Sequence, residues 1–185
     1  MSKIVIISPS VRAGRKSHRV AVYIENLIRE KNLADVEILD LHRFNFPLFD
    51  ERLKYQQSPL KEAMAFAEKI RQAEGVVVIS PEYNGGSPAS LKNAIDLLVE
   101  EWYKKPVAFA TVSDGNFAGT QAIISLQFSL SKLGAMIVPA TLRFPSIQPA
   151  FDENGIPAEK EKTDRRTIAF LNELLWYMEA RKRMS

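Results

Sequence analysis

The chain has 185 residues, 46% of them apolar and 25% charged, enough hydrophobic material for a sizeable core. It has no cysteine, which excludes a disulfide framework, a cysteine-held metal and thiol redox chemistry. Lys and Arg number 25 against 22 Asp and Glu; the net charge of +3 is mild, and its placement says more than its size.

In chain order, short β-branched runs alternate with amphipathic segments. Strands are predicted at 3–8, 36–41, 75–80, 106–112 and 135–140, and helices at 17–31, 59–73, 88–101, 119–133 and 160–182. The strands read as continuous apolar runs, the pattern of parallel strands buried on both faces. Ile168, Leu171, Leu175 and Met178 recur at helical spacing in the last helix. Five strands with helices between them imply an α/β three-layer sandwich with right-handed crossovers, of flavodoxin-like order 2-1-3-4-5. The length suits one domain over 1–185, since compact domains commonly run to about 100–200 residues. The longest irregular stretch, 44–59, is expected to cover one edge of a site.

The start "MSKIVIISPSV" holds too short an apolar run for a signal peptide. No segment approaches the roughly 18 apolar residues of a membrane span, so a cytoplasmic protein without membrane contact is expected. The closing "ARKRMS" reads as a solvated helix end favoured by the helix dipole. It lacks the aromatic or groove motif of a nucleic-acid binder.

In such a sheet, ligands sit beyond the carboxyl ends of the strands where the order reverses, so the loops after strands 1, 3 and 4 carry the functional reading. The first, "SPSVRAGRKSHRVA", contains no acid; the earliest carboxylate in the chain is Glu25. Ser10, Arg12, Arg15 and Ser17, the last at an expected helix N-cap, form either an anion site or a solvated basic loop. The missing acids favour a phosphate. A P-loop needs Gly at position 9 and Lys at position 15, where Pro9 and Arg15 stand. Gly14 is the loop's only glycine, so a dinucleotide fingerprint is absent too. His18 belongs to this loop, whereas His42 reads as a surface or core-edge residue. The two histidines make no metal pair, and no metal ligands are assigned.

The third loop, "SPEYNGGSPASLKNAIDLL", is richer. Gly85 and Gly86 permit positive φ, Ser87 suits an N-cap and Pro88 the first helical position. Leu91, Ala94, Ile95 and Leu98 form an inward stripe, and Lys92 pairs with Asp96 one turn on. Capping and turning leave Pro81, Glu82, Tyr83 and Asn84 unexplained. They either bind a flat polar ring or, for Tyr83 and Glu82, pack on a helix and face solvent.

"PEYNGGSPASLKNAID" resembles the P-x-Y-N-x-x-x-P-x-x-L-K-N-A-I-D signature of the flavodoxin-like NAD(P)H-dependent FMN reductases, which include quinone and azo reductases. "SVRAGRKS" is similar to that family's Ser-x-Arg phosphate loop, and "EEWYKKPVA" aligns in order, so the resemblance covers roughly residues 3–140. It implies that Ser10, Arg12 and Ser17 hold an FMN phosphate with Arg15 as helper. It likewise implies that Pro81, Glu82, Tyr83, Asn84 and Gly85 line the isoalloxazine ring. The loop after strand 4, "SDGNFAGTQA", departs from the family's Ser-Tyr-Gly-Gly-x-Gly-Gly form. Ser113, Gly115 and Gly119 remain, but Asp114, Asn116 and Ala118 replace the other positions. Amides from Ser113 through Gly115 to Asn116 are expected to bond the ring carbonyls.

The resemblance implies a homodimer or tetramer with one FMN per subunit. It also implies ping-pong hydride transfer from NADPH or NADH to a small-molecule acceptor such as a quinone, azo compound, flavin or metal oxyanion. The cofactor carries that chemistry, so no catalytic side chain is assigned. A flavodoxin-type electron carrier and a flavin-free interaction module are the alternatives.

Overall fold

A computed structural model describes residues 2–184; Met1, and Ser185 of the basic terminal group, lie outside the described residues. Five strands, β1 (Lys3–Ser8), β2 (Asp35–Asp40), β3 (Gly75–Pro81), β4 (Pro106–Val112) and β5 (Met136–Phe144), form one parallel sheet. Their order is β2-β1-β3-β4-β5. The helices are α1 (Lys16–Glu30), α2 (Leu41–Phe44), α3 (Lys61–Gln72), α4 (Ala89–Asp96), α5 (Thr120–Lys132) and α6 (Lys160–Arg183). The flavodoxin-like α/β expectation holds.

Strand periodicity explains the layers. Ile4, Ile6, Val77, Ile79, Ala108 and Ala110 point to one face and meet residues of α1 and α6, such as Ile24 and Leu171. Their neighbours Val5, Ile7, Val76, Val78, Val107 and Phe109 point to the other and meet α3, α4 and α5 through Phe66, Leu91 and Leu126. Every residue of β3 and β4 is buried, as the unbroken apolar runs require.

Three elements differ from expectation. β5 runs on to Phe144 rather than ending at 140. Its register jumps from Val107↔Ile137 to Phe109↔Thr141, so it takes four steps where β4 takes two. Pro139 falls inside this irregularity on an edge strand, where its missing N–H breaks no regular ladder. α4 stops at Asp96, where carbonyls of its last turn find other partners: Ile95 accepts from the buried Trp102 indole at 3.2 Å and the capping Leu97 from the Leu53 amide at 3.0 Å. α2 is a single turn not anticipated, begun by the Asp40 carboxylate accepting from the His42 amide at 3.1 Å.

Stretch 44–59 covers no edge of the main cavity. Phe44 and Phe46 pack on Phe66, with ring centroids 5.5 and 5.4 Å away. Asn93 of α4 latches the segment by accepting from the Phe49 amide at 2.6 Å and donating to the Pro47 carbonyl at 2.7 Å. The asparagine in "LKNAID" is thereby explained as a latch.

Candidate functional site

Crossovers leave β1 and β3 in opposite directions, opening a crevice at their carboxyl ends. A cavity of about 410 Å³ lies there, within the usual size of small-molecule sites. It is lined from the loops after β1, β3 and β4, and by Ile147 and Gln148 after β5.

At one end the chain passes from β1 into α1. The helix begins with Arg15 as its N-cap, and the Arg15 side chain makes no capping bond to the first-turn amides. No acid occupies that turn either, so the positive end of the dipole is uncompensated. Ser17, expected as the cap, lies inside the first turn. Its Oγ is buried with no hydrogen-bond partner, although Ser17 lines the cavity. A buried hydroxyl without a partner is costly unless a ligand supplies one. Ser10 is also buried, its hydroxyl 2.7 Å from the Tyr83 hydroxyl. The exposed Arg12 guanidinium lies 5.4 Å from the Tyr83 ring centroid, a cation–π contact.

Arg15 and His18 are placed differently. Arg15 lines the cavity, but its guanidinium forks onto the Asp40 carboxylate, with Nη2 2.6 Å from Oδ2. Its Nη1 also donates to the Ser10 carbonyl at 2.9 Å. His18 sits behind the loop, outside the lining residues, with Nδ1 3.0 Å from the Ser8 hydroxyl. Burial and the Arg15 charge hold its pKa below the ordinary histidine value, so it is neutral at pH 7.

Pro81, Glu82 and Tyr83 form the middle wall. Glu82 is not simply solvated: its carboxylate accepts from the Gln121 and Ala122 amides at 3.0 and 3.4 Å, capping α5 from another loop. Tyr83 and Gly86 exchange backbone hydrogen bonds of 2.8 and 3.1 Å across a two-residue turn. The central residues Asn84 and Gly85 have φ of 51° and 78°, the primed turn that Asn-Gly favours. The positive φ thus belongs to Asn84 and Gly85 rather than to Gly85 and Gly86. These two residues shape the wall and lie outside the lining set. α4 starts one residue later than expected, with Pro88 as N-cap instead of Ser87. Ser90 ties its first turn to the β1 loop by donating to the Pro9 carbonyl at 2.6 Å.

The far end is the loop after β4. The Ser113 amide donates to the Phe144 carbonyl and the Ile147 amide to the Ser113 carbonyl, both at 3.1 Å, which brings in the loop after β5. Gln148 donates to the Asp114 carboxylate at 3.0 Å. Ser113 and Gly115 line the cavity, with the Ser113 hydroxyl donating to the Gly115 carbonyl at 2.8 Å. Gly119 has φ 78°, and a Cβ there would come within 2.9 Å of the Thr111 Cβ; only glycine fits. The preceding Ala118 has φ 52°, a conformation glycine would adopt without penalty. Phe117 stands at the mouth, 86% exposed.

Nine of the twelve residues named from the sequence line this cavity: Ser10, Arg12, Arg15, Ser17, Pro81, Glu82, Tyr83, Ser113 and Gly115. Sequence reasoning missed Lys16, Phe117, Ile147 and Gln148 as lining residues. The last two follow β5, whose true end was hidden by its irregular register. Among the described residues, no cluster of potential metal ligands occurs.

Comparison with known proteins matches this geometry to a family. Residues 2–148 match the family model described as NADPH-dependent FMN reductase. The chain is 32% identical over 149 residues to an NAD(P)H-dependent FMN reductase of a Nectria species, covering 76% of this chain and 73% of that protein. It is 38% identical over 98 residues to the quinone reductase of Escherichia coli K12, covering 51% and 52% of the two chains. In structure it resembles FerB, a flavoenzyme NAD(P)H:acceptor oxidoreductase from Paracoccus denitrificans. The TM-score is 0.77 at 19% identity, over 97% of this chain and 98% of that one. The chain belongs to the NADPH-dependent FMN reductase family and is an oxidoreductase of that NAD(P)H- and FMN-dependent kind.

Proposed function

We propose that the crevice holds FMN lengthwise, phosphate on the α1 turn and ring between Tyr83 and the loop after β4, and that the protein reduces quinones, azo compounds or free flavins. The observation that carries this reading is the buried, partnerless Ser17 hydroxyl beside the uncapped first turn of α1, with Arg12 nearby. Ser10, Arg12, Ser17 and the first-turn amides suit a phosphate monoester, which accepts several charge-assisted hydrogen bonds. Pro81, Glu82, Tyr83, Ser113 and Gly115 offer a wall with polar main-chain groups for a flat heterocycle.

FMN held by Ser10, Arg12, Ser17 and the Tyr83 wall would supply a two-electron carrier, able to accept hydride from NAD(P)H and pass it to an acceptor in ping-pong fashion. The residues of this chain bind and orient; none is assigned as an acid or base. Glu82 stiffens the wall by fixing it to α5, and Tyr83 ties it to Ser10, so the two loops keep their spacing.

One domain suffices for this chemistry, and a homodimer is its working form. Phe117 at the cavity mouth is followed by Ile124 and Phe128 on α5, 60% and 71% exposed and one helical turn apart. A second copy covering this stripe would also cover the mouth. A cytoplasmic setting fits a cysteine-free chain. Among the described residues no helix is long and apolar enough to cross a membrane.

The visible spectrum of protein mixed with FMN and freed of excess by gel filtration tests the reading. Retained flavin absorbance that bleaches on anaerobic NADPH or NADH addition, and returns on adding a quinone, is expected. No retained flavin, or flavin that reduced nicotinamide does not bleach, overturns it.

A further inference from the structure

We infer that Asp40, a residue of β2 that does not line the cavity, is the positioning residue of the FMN phosphate loop and acts through Arg15. This rests on the reading that the loop after β1 holds that phosphate.

Residues 11–14 are exposed and pack against little, so the chain needs a specific device to hold the curve that places Ser10, Arg12 and Ser17 around one point. Arg15 provides it. One nitrogen of its guanidinium bonds the Ser10 carbonyl, five residues back, while the fork engages both oxygens of Asp40. Asp40 is itself fixed: it ends β2 opposite Ser8 of β1, is 5% exposed, and accepts from the His42 amide. The curve of the loop is thus referred through two side chains to the sheet. The nearby Arg43 is 85% exposed and 3.8 Å from Oδ2, too loose to replace Arg15.

Geometry gives Arg15 a different task from Arg12. A bidentate pair with a buried carboxylate is directional and costly to break, since either partner alone would be left desolvated. Burial alone would raise the Asp40 pKa, but hydrogen bonding and charge from Arg15, then the His42 amide, hold it below the usual carboxylate range. The Arg15 charge is therefore matched within the protein. Arg12 has no ion-pair partner among the described residues and is the guanidinium available to a phosphate.

A double-mutant cycle on FMN affinity tests the inference, with phosphorus NMR and the visible spectrum of the bound flavin as separate readouts. Asp40→Asn and Arg15→Ala should each raise the FMN dissociation constant about tenfold, because a displaced loop misaligns several phosphate contacts at once. The double variant should be no weaker than the weaker single one, since both changes remove the same strut. The bound phosphorus resonance should shift and broaden while the flavin absorption bands keep their positions. Should Asp40→Asn fail to fold, Arg15→Lys serves: a lysine keeps the charge but cannot bridge Ser10 and Asp40 with a fork, and should weaken FMN several-fold. Additive losses, an unchanged phosphorus resonance, or unchanged FMN affinity would overturn the inference. Tighter binding by Asp40→Asn would overturn it too, by showing that a freed Arg15 is itself a phosphate ligand. Failure of the unaltered protein to bind FMN would instead remove the reading beneath it.

Discussion

The two ends of the cavity are held in different ways. At the α1 end the loop is fixed by side chains: Arg15 to Asp40 and Ser10, Ser10 to Tyr83, Ser90 to Pro9. At the α5 end the course of the loop is set by its backbone, through Ser113 bonded to Phe144 and Ile147 and positive φ at Ala118 and Gly119, with local side-chain bonds such as Thr111 to the Ala118 carbonyl and Gln148 to Asp114 added to it. Its side chains Asp114, Asn116 and Phe117 are exposed, Asp114 and Phe117 at the cavity wall. A phosphate demands donors at set positions, which buried struts can provide. A ring that meets two substrates in turn is served by main-chain contacts with room above them. On the proposed function, the first end ties the phosphate to the sheet and the second leaves space over the ring.

The largest expected effect comes from removing the free guanidinium. Arg12→Ala should raise the FMN dissociation constant about 30- to 100-fold, the loss of a charge-assisted contact, by isothermal titration. The melting temperature of the flavin-free protein should stay put, because Arg12 is exposed and makes no ion pair among the described residues, only a cation–π contact to Tyr83 being seen there. An unchanged affinity would move the phosphate away from this loop.

Ser17→Ala sharpens the same point through a change of sign. Deleting a buried hydroxyl that lacks a partner should stabilise the flavin-free protein by about 1 kcal/mol in urea unfolding. The same change should weaken FMN binding about tenfold, the loss of one charge-assisted bond. A packing serine would lose stability in both forms.

A third site, far from both ends, provides a control. Lys105 is 2% exposed just before β4, at the amino-terminal end of the strands opposite the cavity, and caps α3 by donating to the Arg71 and Ala73 carbonyls. Burial, with the Arg181 charge, lowers its pKa to about 8. From about 8 up to the ordinary value of 10.5 the unfolded chain binds the proton that the folded one has released, so this group's contribution to stability rises with pH. Lys105→Met should lose that rise in unfolding measured from pH 7.5 to 10.5, an interval chosen to span the two values. FMN affinity should be unchanged; a large flavin effect would blur the distinction between site and scaffold.

Ala118→Gly is the smallest change and probes the backbone-built end. Releasing an alanine from the left-handed region recovers roughly 1–2 kcal/mol, and the freer unfolded glycine returns about half. A net gain of about 0.5 kcal/mol is expected, and a clear loss would show that the methyl packing outweighs the backbone cost.

What was legible in the chain was what depends on local pattern. Unbroken apolar runs gave away β1, β3 and β4, and the absence of acids before Glu25 pointed to the loop proposed here as the anion end. What stayed hidden depends on residues distant in sequence. Arg15 reads as a phosphate donor until the pairing of β1 with β2 brings Asp40 beside it. Glu82 lines the cavity as read, but its capping of α5 shows only once the start of that helix arrives beside it. Asn84 reads as a ligand group until its φ shows a turn that needs asparagine and glycine. Gln148 and Ile147 were lost because two extra residues in β5 displaced its end.

A crystal structure of the protein with FMN addresses the central claim most directly. The phosphate should lie within hydrogen-bonding distance of the Ser17 hydroxyl and the Arg12 guanidinium, with Arg15 still on Asp40 and the ring beside Tyr83. A phosphate bound elsewhere, or a crevice filled by the protein's own side chains in excess FMN, would contradict it.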